Sequence, residues 1–78
     1  MQVDPKKAEE LTLALMYLTS FKEGSVVRTW KGYDWDVMNR LAEQDLISNP
    51  VGKAKSVVLT EEGEARSRAM AEKYLGAA

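Results

Sequence analysis

Neither cysteine nor histidine occurs in the sequence. Their absence removes disulfides, thiol chemistry, the usual zinc ligands and the side chain most used to move protons near neutral pH. No glycine-rich phosphate loop is present either, so the expectation is a protein that is not an enzyme, with no cofactor, metal or small-molecule ligand. A dominant charge sign is also missing. Eleven Lys and Arg stand against twelve Asp and Glu, for a net charge of −1, and no global basic field draws the chain to nucleic acid. Any such contact has to come from a local patch. A long apolar run and a basic-then-apolar leader are lacking too, which gives the cytoplasm as the expected compartment and no membrane as a partner.

What is there suits a single domain over residues 1–78 with an ordered core at about 5–75. Hydrophobic content of 45% and charged content of 29% are ordinary for a globular chain. At this length only about 60% of the unfolded surface is buried on folding, so a partner surface adds usefully to the core.

Asp4-Pro5 starts a helix, because the Asp carboxylate accepts an orphan backbone N–H and Pro fits the first helical position. The pattern carries this helix to about Phe21, with Ala8, Leu11, Ala14, Leu15 and Leu18 on an inward stripe. Leu13, Met16 and Tyr17 then widen the apolar surface beyond one core face. Lys22-Glu23-Gly24-Ser25 is a break in which Gly suits a left-handed helix cap, and "VVRTW" fits either a short helix or an extended segment. Asp34 caps a second helix from Trp35 to about Asp45, with Val37, Met38, Leu41 and then Leu46 inward, and Asp36, Asn39, Arg40, Glu43 and Gln44 outward.

"LISNPVGKAKSVVLT" has the form of a hairpin. Asn49-Pro50-Val51-Gly52 follows type I turn preferences, and on the return strand Val57 and Leu59 share one face while Ser56, Val58 and Thr60 take the other. Thr60 caps a last helix with Glu61 and Glu62 in its first turn, and Ala65, Ala69, Met70, Tyr74 and Leu75 are its packing residues.

The order of a helix, "LAEQDLI", a "GKAK" turn, "VVLTEEG" and a final helix is similar to the C-terminal half of a winged-helix domain. The resemblance covers about residues 35–75 and implies an α+β fold: helix, short element, helix, two-stranded hairpin as the wing, helix. The second helix of a helix-turn-helix is poorly marked, and Asp45 stands where winged helices commonly carry Gly. Over nearly the whole chain, "LALMYLT", "WKGYDWDVMNRLAEQDLI" and "PVGKAKSVVLTEEG" also resemble a family of short bacterial proteins defined by a domain of unknown function. That resemblance implies the same compact fold and transfers no functional residue.

If the winged-helix analogy extends to function, the partner is double-stranded DNA. Asn39 and Arg40 then probe the major groove, and Lys53, Lys55, Lys31 and Arg28 contact phosphates. Competing with this are a solvated helix face at Asn39 and Arg40, an edge-guarding pair at Lys53 and Lys55, and a net charge of only +1 between residues 25 and 60. Trp30, Tyr33 and Trp35 are read as core volume, with Tyr33 the ring expected outside if one is exposed. Asp34 and Asp36 diverge at a helix start and are read as structural. The wide apolar surface of the first helix suggests a homodimer through Leu13, Met16, Tyr17, Met70 and Tyr74. A second functional reading makes the chain a protein-interaction or accessory module whose fold has no working DNA surface.

Overall fold

A computed structural model describes residues 1–77. The chain runs α1 (Pro5–Leu18), β1 (Phe21–Glu23), β2 (Val26–Trp30), α2 (Trp35–Glu43), β3 (Ser56–Leu59) and α3 (Glu61–Leu75). The architecture is α+β and winged-helix-like, with a three-stranded antiparallel sheet in the order β1-β2-β3. None of the described helices is long and apolar enough to cross a membrane.

The three helix starts lie where their caps are written. The Asp4 carboxylate accepts from Lys6 N at 2.9 Å, Asp34 Oδ2 from Val37 N at 3.1 Å, and Thr60 Oγ1 from Gly63 N at 3.0 Å. α1 stops at Leu18, before the expected Phe21. Thr19 Oγ1 and Ser20 Oγ donate back to the carbonyls of Leu15 and Tyr17 and satisfy the last turn, which frees Phe21 to enter a strand.

The ambiguous "VVRTW" is β2, the central strand. Gly24 and Ser25 form a two-residue loop between the paired Glu23 and Val26, and Gly24 has φ +64. Its left-handed backbone therefore serves a hairpin turn of the II′ kind rather than a helix cap. A hairpin thus stands between α1 and α2 where a helix-turn-helix would have a helix. On the other side of β2, Val27, Arg28, Thr29 and Trp30 face Leu59, Val58, Val57 and Ser56.

The wing is asymmetric. β3 is regular, but its expected partner "LIS" contributes one bridge, Ile47 to Leu59. Ser48 explains this: its N–H donates to the Val58 carbonyl at 2.9 Å, while its own hydroxyl, in place of a backbone carbonyl, accepts the Val58 N–H. Pro50, buried and without an N–H, ends the pairing. Lys53 and Lys55 consequently lie in the loop before β3 and not on a strand.

The core contains Leu13, Met16, Val37, Met38, Leu41, Leu46, Ile47, Val57 and Leu59. The inward residues of α2 and β3 are those expected, while of those expected in α1 and α3 only Ala8, Ala14 and Met70 pack inward. α1 is rotated so that Leu13 and Met16 face the core, while Leu11, Leu15 and Leu18 are exposed. A helix apolar on most of its circumference offers two stripes to its neighbours, and spacing alone does not choose between them. α3 packs through Gly63, Ser67 and Ala71, and Ala65 and Ala69 are exposed. Ser67 and Ala71 lie towards α1, each lining a groove with Tyr17, while Gly63 meets the backbone of Leu46.

Candidate functional site

Strand register sorts the sheet into two faces. Val27, Thr29, Val57 and Leu59 point to the helices. The other face carries Phe21, Glu23, Val26, Arg28, Trp30, Ser56 and Val58, since residues paired across strands share a side. No core covers this second face, and Trp30 on it is 54% exposed. Its ring meets Phe21 at 4.8 Å between centroids with a 32° tilt. Trp30 therefore does not supply the core volume expected of it. It sits outside because the alternation in β2 gives the inward positions to Val27 and Thr29. Trp35 is exposed as well, whereas Tyr33, the ring expected outside, is half-buried with its hydroxyl 2.7 Å from Thr19 Oγ1.

Arg28 lies on the same face, paired with Phe21 on one side and with Val58 on the other. Its Nε donates to Ser56 Oγ at 2.8 Å and its Nη2 to the Ser56 carbonyl at 3.3 Å. Two of the five guanidinium N–H donors thus fix the group, and the other three have no partner among the described residues. A guanidinium so held is pre-organised for a planar anion, with little side-chain entropy left to lose.

Lys31 follows directly. Its backbone N–H donates to the Lys55 carbonyl at 3.0 Å and its Nζ to the Gly52 carbonyl at 3.3 Å, so the loop carrying Lys53 and Lys55 is tied to the end of β2. Asn49 shapes that loop by accepting the Val51 N–H at 2.9 Å on its own side chain. Arg28 thus shares the open face with Trp30, while Lys31 and Lys55, opposite each other one position past the Trp30–Ser56 pair, are tied together at the end of β2. Among the described residues, none of Arg28, Lys31, Lys53 and Lys55 is ion-paired; the salt bridges there involve Arg40, Arg66, Arg68 and Lys73. Glu23 is the one carboxylate on the open face, at the far end beside Val26.

Asn39 and Arg40 do not join this group. Arg40 Nε is 3.0 Å from Glu9 Oε2, which turns it to α1 and into a groove that Asp34 and Asp36 also line. Asn39 lines a different groove with Glu43 and Asp45. The exposed side of α2 is therefore acidic, and its arginine is already neutralised.

The residues expected at a dimer surface divide similarly. Leu13 and Met16 are buried in the chain's own core, and Met70 packs against it, so the proposed interface cannot include the first two. Tyr17 and Tyr74 reach the surface, with the Tyr74 hydroxyl donating to Glu10 Oε1 at 2.6 Å. That bond, with the Lys73 ammonium nearby, holds the Glu10 carboxyl below the usual glutamate range.

Comparison with known proteins names no ligand for this surface. The chain is 46% identical over 67 residues to the uncharacterized protein y4hR of Sinorhizobium fredii (strain NBRC 101917 / NGR234), an alignment that covers 86% of each protein. No solved structure matches. The profile described as Domain of unknown function (DUF6429) matches residues 4–77, and the chain belongs to that family.

Proposed function

We propose that this chain is a small non-enzymatic module that binds nucleic acid through the open sheet face and the loop of residues 49–55, with unpaired bases stacking on Trp30 and phosphates held by Arg28, Lys31, Lys53 and Lys55. The observation that carries the reading is the half-exposed Trp30 ring beside an Arg28 guanidinium that Ser56 holds in place. Aromatic platforms within a cationic surface suit single strands, because every base has a π-face and each stacked base is worth about 1–3 kcal/mol. A major-groove role for α2 has no comparable support: Asp36, Glu43 and Asp45 are exposed on it or at its end, and Arg40 is spent on Glu9.

Titrating oligothymidine and a mixed-sequence duplex against the protein at low salt, with tryptophan emission and anisotropy as readouts, tests the proposal. Expected is non-specific binding that favours the single strand and weakens to about 10⁻⁴ to 10⁻⁶ M at physiological salt. Trp30→Ala should weaken it about fivefold or more, and Trp35→Ala should leave it unchanged. Equal affinity for both forms, with Trp30→Ala silent, would remove the stacking. No binding to either would overturn the proposal in favour of the protein-interaction module, the reading that the acidic side of α2 favours.

A further inference from the structure

α1 carries a line of leucines that the chain itself does not cover. Leu11, Leu15 and Leu18 are 47%, 43% and 67% exposed, at the i, i+4, i+7 spacing of one helix face. Leu75 of α3, half exposed, borders the same groove as Leu18 and extends the strip. Single exposed leucines are common, but four in one strip along two packed helices are not scattered. The neighbours of α1 are already engaged on its other sides: Leu13 and Met16 meet the core, and Ala14 is buried.

The charges of α1 indicate what completes this face. Lys6 and Lys7 stand in the first turn, which has no acidic residue, and the last turn has no basic one. Beside the Asp4 cap, the two lysines oppose the helix's own dipole, which favours anions at the N-terminus, and no cation answers it at the C-terminus. A second α1 running antiparallel reverses the mismatch. With a two-fold axis at Leu15, each Leu15 meets its own copy and Leu11 meets Leu18 of the other chain. Lys7, one turn before Leu11, then lies about 6 Å past the negative C-terminal end of the opposite helix, towards Glu72, which lines the groove beside Leu18 and also bonds Arg68. Parallel pairing would instead set lysines against lysines.

We propose that two copies of this chain pair through α1, antiparallel, with Leu15 at the two-fold axis. The contact is self-complementary, so it closes at two chains. Because the leucine line points away from the core on the helix side, pairing leaves the open sheet face of each copy uncovered. The proposal does not depend on nucleic-acid binding.

The absence of native cysteine makes a direct test possible. Leu15→Cys should form a disulfide-linked dimer on mild oxidation. Leu11→Cys alone and Leu18→Cys alone should not, because equivalent positions are then separated by about 9 Å or more along the axis, beyond disulfide reach. An equimolar mixture of those two variants should cross-link. Formation of disulfides by all three single variants would indicate parallel pairing and overturn the proposal. In sedimentation, the uncross-linked native mass should rise from one chain towards two with concentration. Leu15→Glu, with its fold checked by circular dichroism, should raise the dissociation constant at least tenfold, and Lys7→Glu should raise it less. A mass of one chain up to millimolar concentration, or a dimer indifferent to Leu15→Glu, contradicts the account.

Discussion

Glu9 joins α1 to α2 with both carboxylate oxygens: Arg40 Nε lies 3.0 Å from Oε2, and Gln44 Nε2 lies 2.8 Å from Oε1. The arginine on the helix that resembles a recognition helix is therefore an internal strut. The pair is only partly screened from solvent, which limits its worth to about 1 kcal/mol. Arg40→Ala should lower stability by about 0.5–1.5 kcal/mol in urea unfolding and leave oligonucleotide affinity within about twofold. Loss of binding in that variant with stability unchanged would return Arg40 to the interface.

Gly63 holds the start of α3 against the turn after α2. A Cβ at this position would overlap the carbonyl oxygen of Leu46, whose backbone also accepts the Thr60 N–H at 3.1 Å. The obstacle is backbone, so no side-chain rotation relieves it. Gly63→Ala should therefore cost about 2 kcal/mol or more despite alanine's higher helix propensity. Urea unfolding of Gly63→Ala against Ala65→Gly, an exposed position on the same helix, separates the two effects: the first should lose stability through overlap, the second only about 1 kcal/mol through propensity.

Asp45 is the single non-glycine residue with positive φ among those described, at 58°. It ends α2 in a Schellman motif, with Leu46 N–H bonded to the Leu41 carbonyl and Asp45 N–H to the Ala42 carbonyl, each at 3.0 Å. Glycine adopts this backbone without the Cβ penalty, so Asp45→Gly should stabilise the chain by about 0.5–1 kcal/mol. Thermal melts of the two proteins measure the sign. A lower melting temperature would mean that the Asp45 side chain contributes more than its backbone costs.

The Tyr74 hydroxyl, with the Lys73 ammonium, depresses the pKa of Glu10 in the folded chain. A carboxyl with a lowered folded pKa stabilises fully above its unfolded value of about 4.3 and loses that contribution as pH falls through the folded value. Tyr74→Phe should thus unfold at lower urea than the native chain at pH 6–7, with the gap narrowing below about pH 4. A gap constant down to pH 2.5 would assign the effect to packing instead.

Residues with a single local task were legible in the sequence. Asp4, Asp34 and Thr60 each cap a helix as their side chains dictate, and Val57 and Leu59 face inward as alternation in a strand requires. Legibility failed where a residue type serves two tasks. Gly24 suits a helix cap and a II′ hairpin turn equally, and the pairing of β1 with β2 decides for the turn. The apolar surface of α1 extends too far around the helix for spacing to select Leu13 and Met16 over Leu11 and Leu15. In α3 the close-packed stripe is Gly63, Ser67 and Ala71, which a search for large apolar residues passes over.

The candidate site divides along the same line. Lys31 is hydrogen-bonded to the segment that carries Lys53 and Lys55, and a loop rather than the strand expected for a wing holds those two lysines. Trp30 was hidden because its side of β2 depends on that strand's pairing on both edges, a long-range property. The strand pattern of "VVRTW" alone has no marker for which face meets the helices.

The central claim is that phosphates are bound by Arg28 and by the lysines at the end of β2 and in the loop before β3, and the salt dependence of oligothymidine binding tests it most directly. Contacts to about four phosphates on a single strand predict a slope near −3 for log affinity against log salt, and Lys53→Ala with Lys55→Ala should reduce its magnitude by about 1.4. A slope unchanged by that double substitution, or no binding at the lowest salt, would contradict the account.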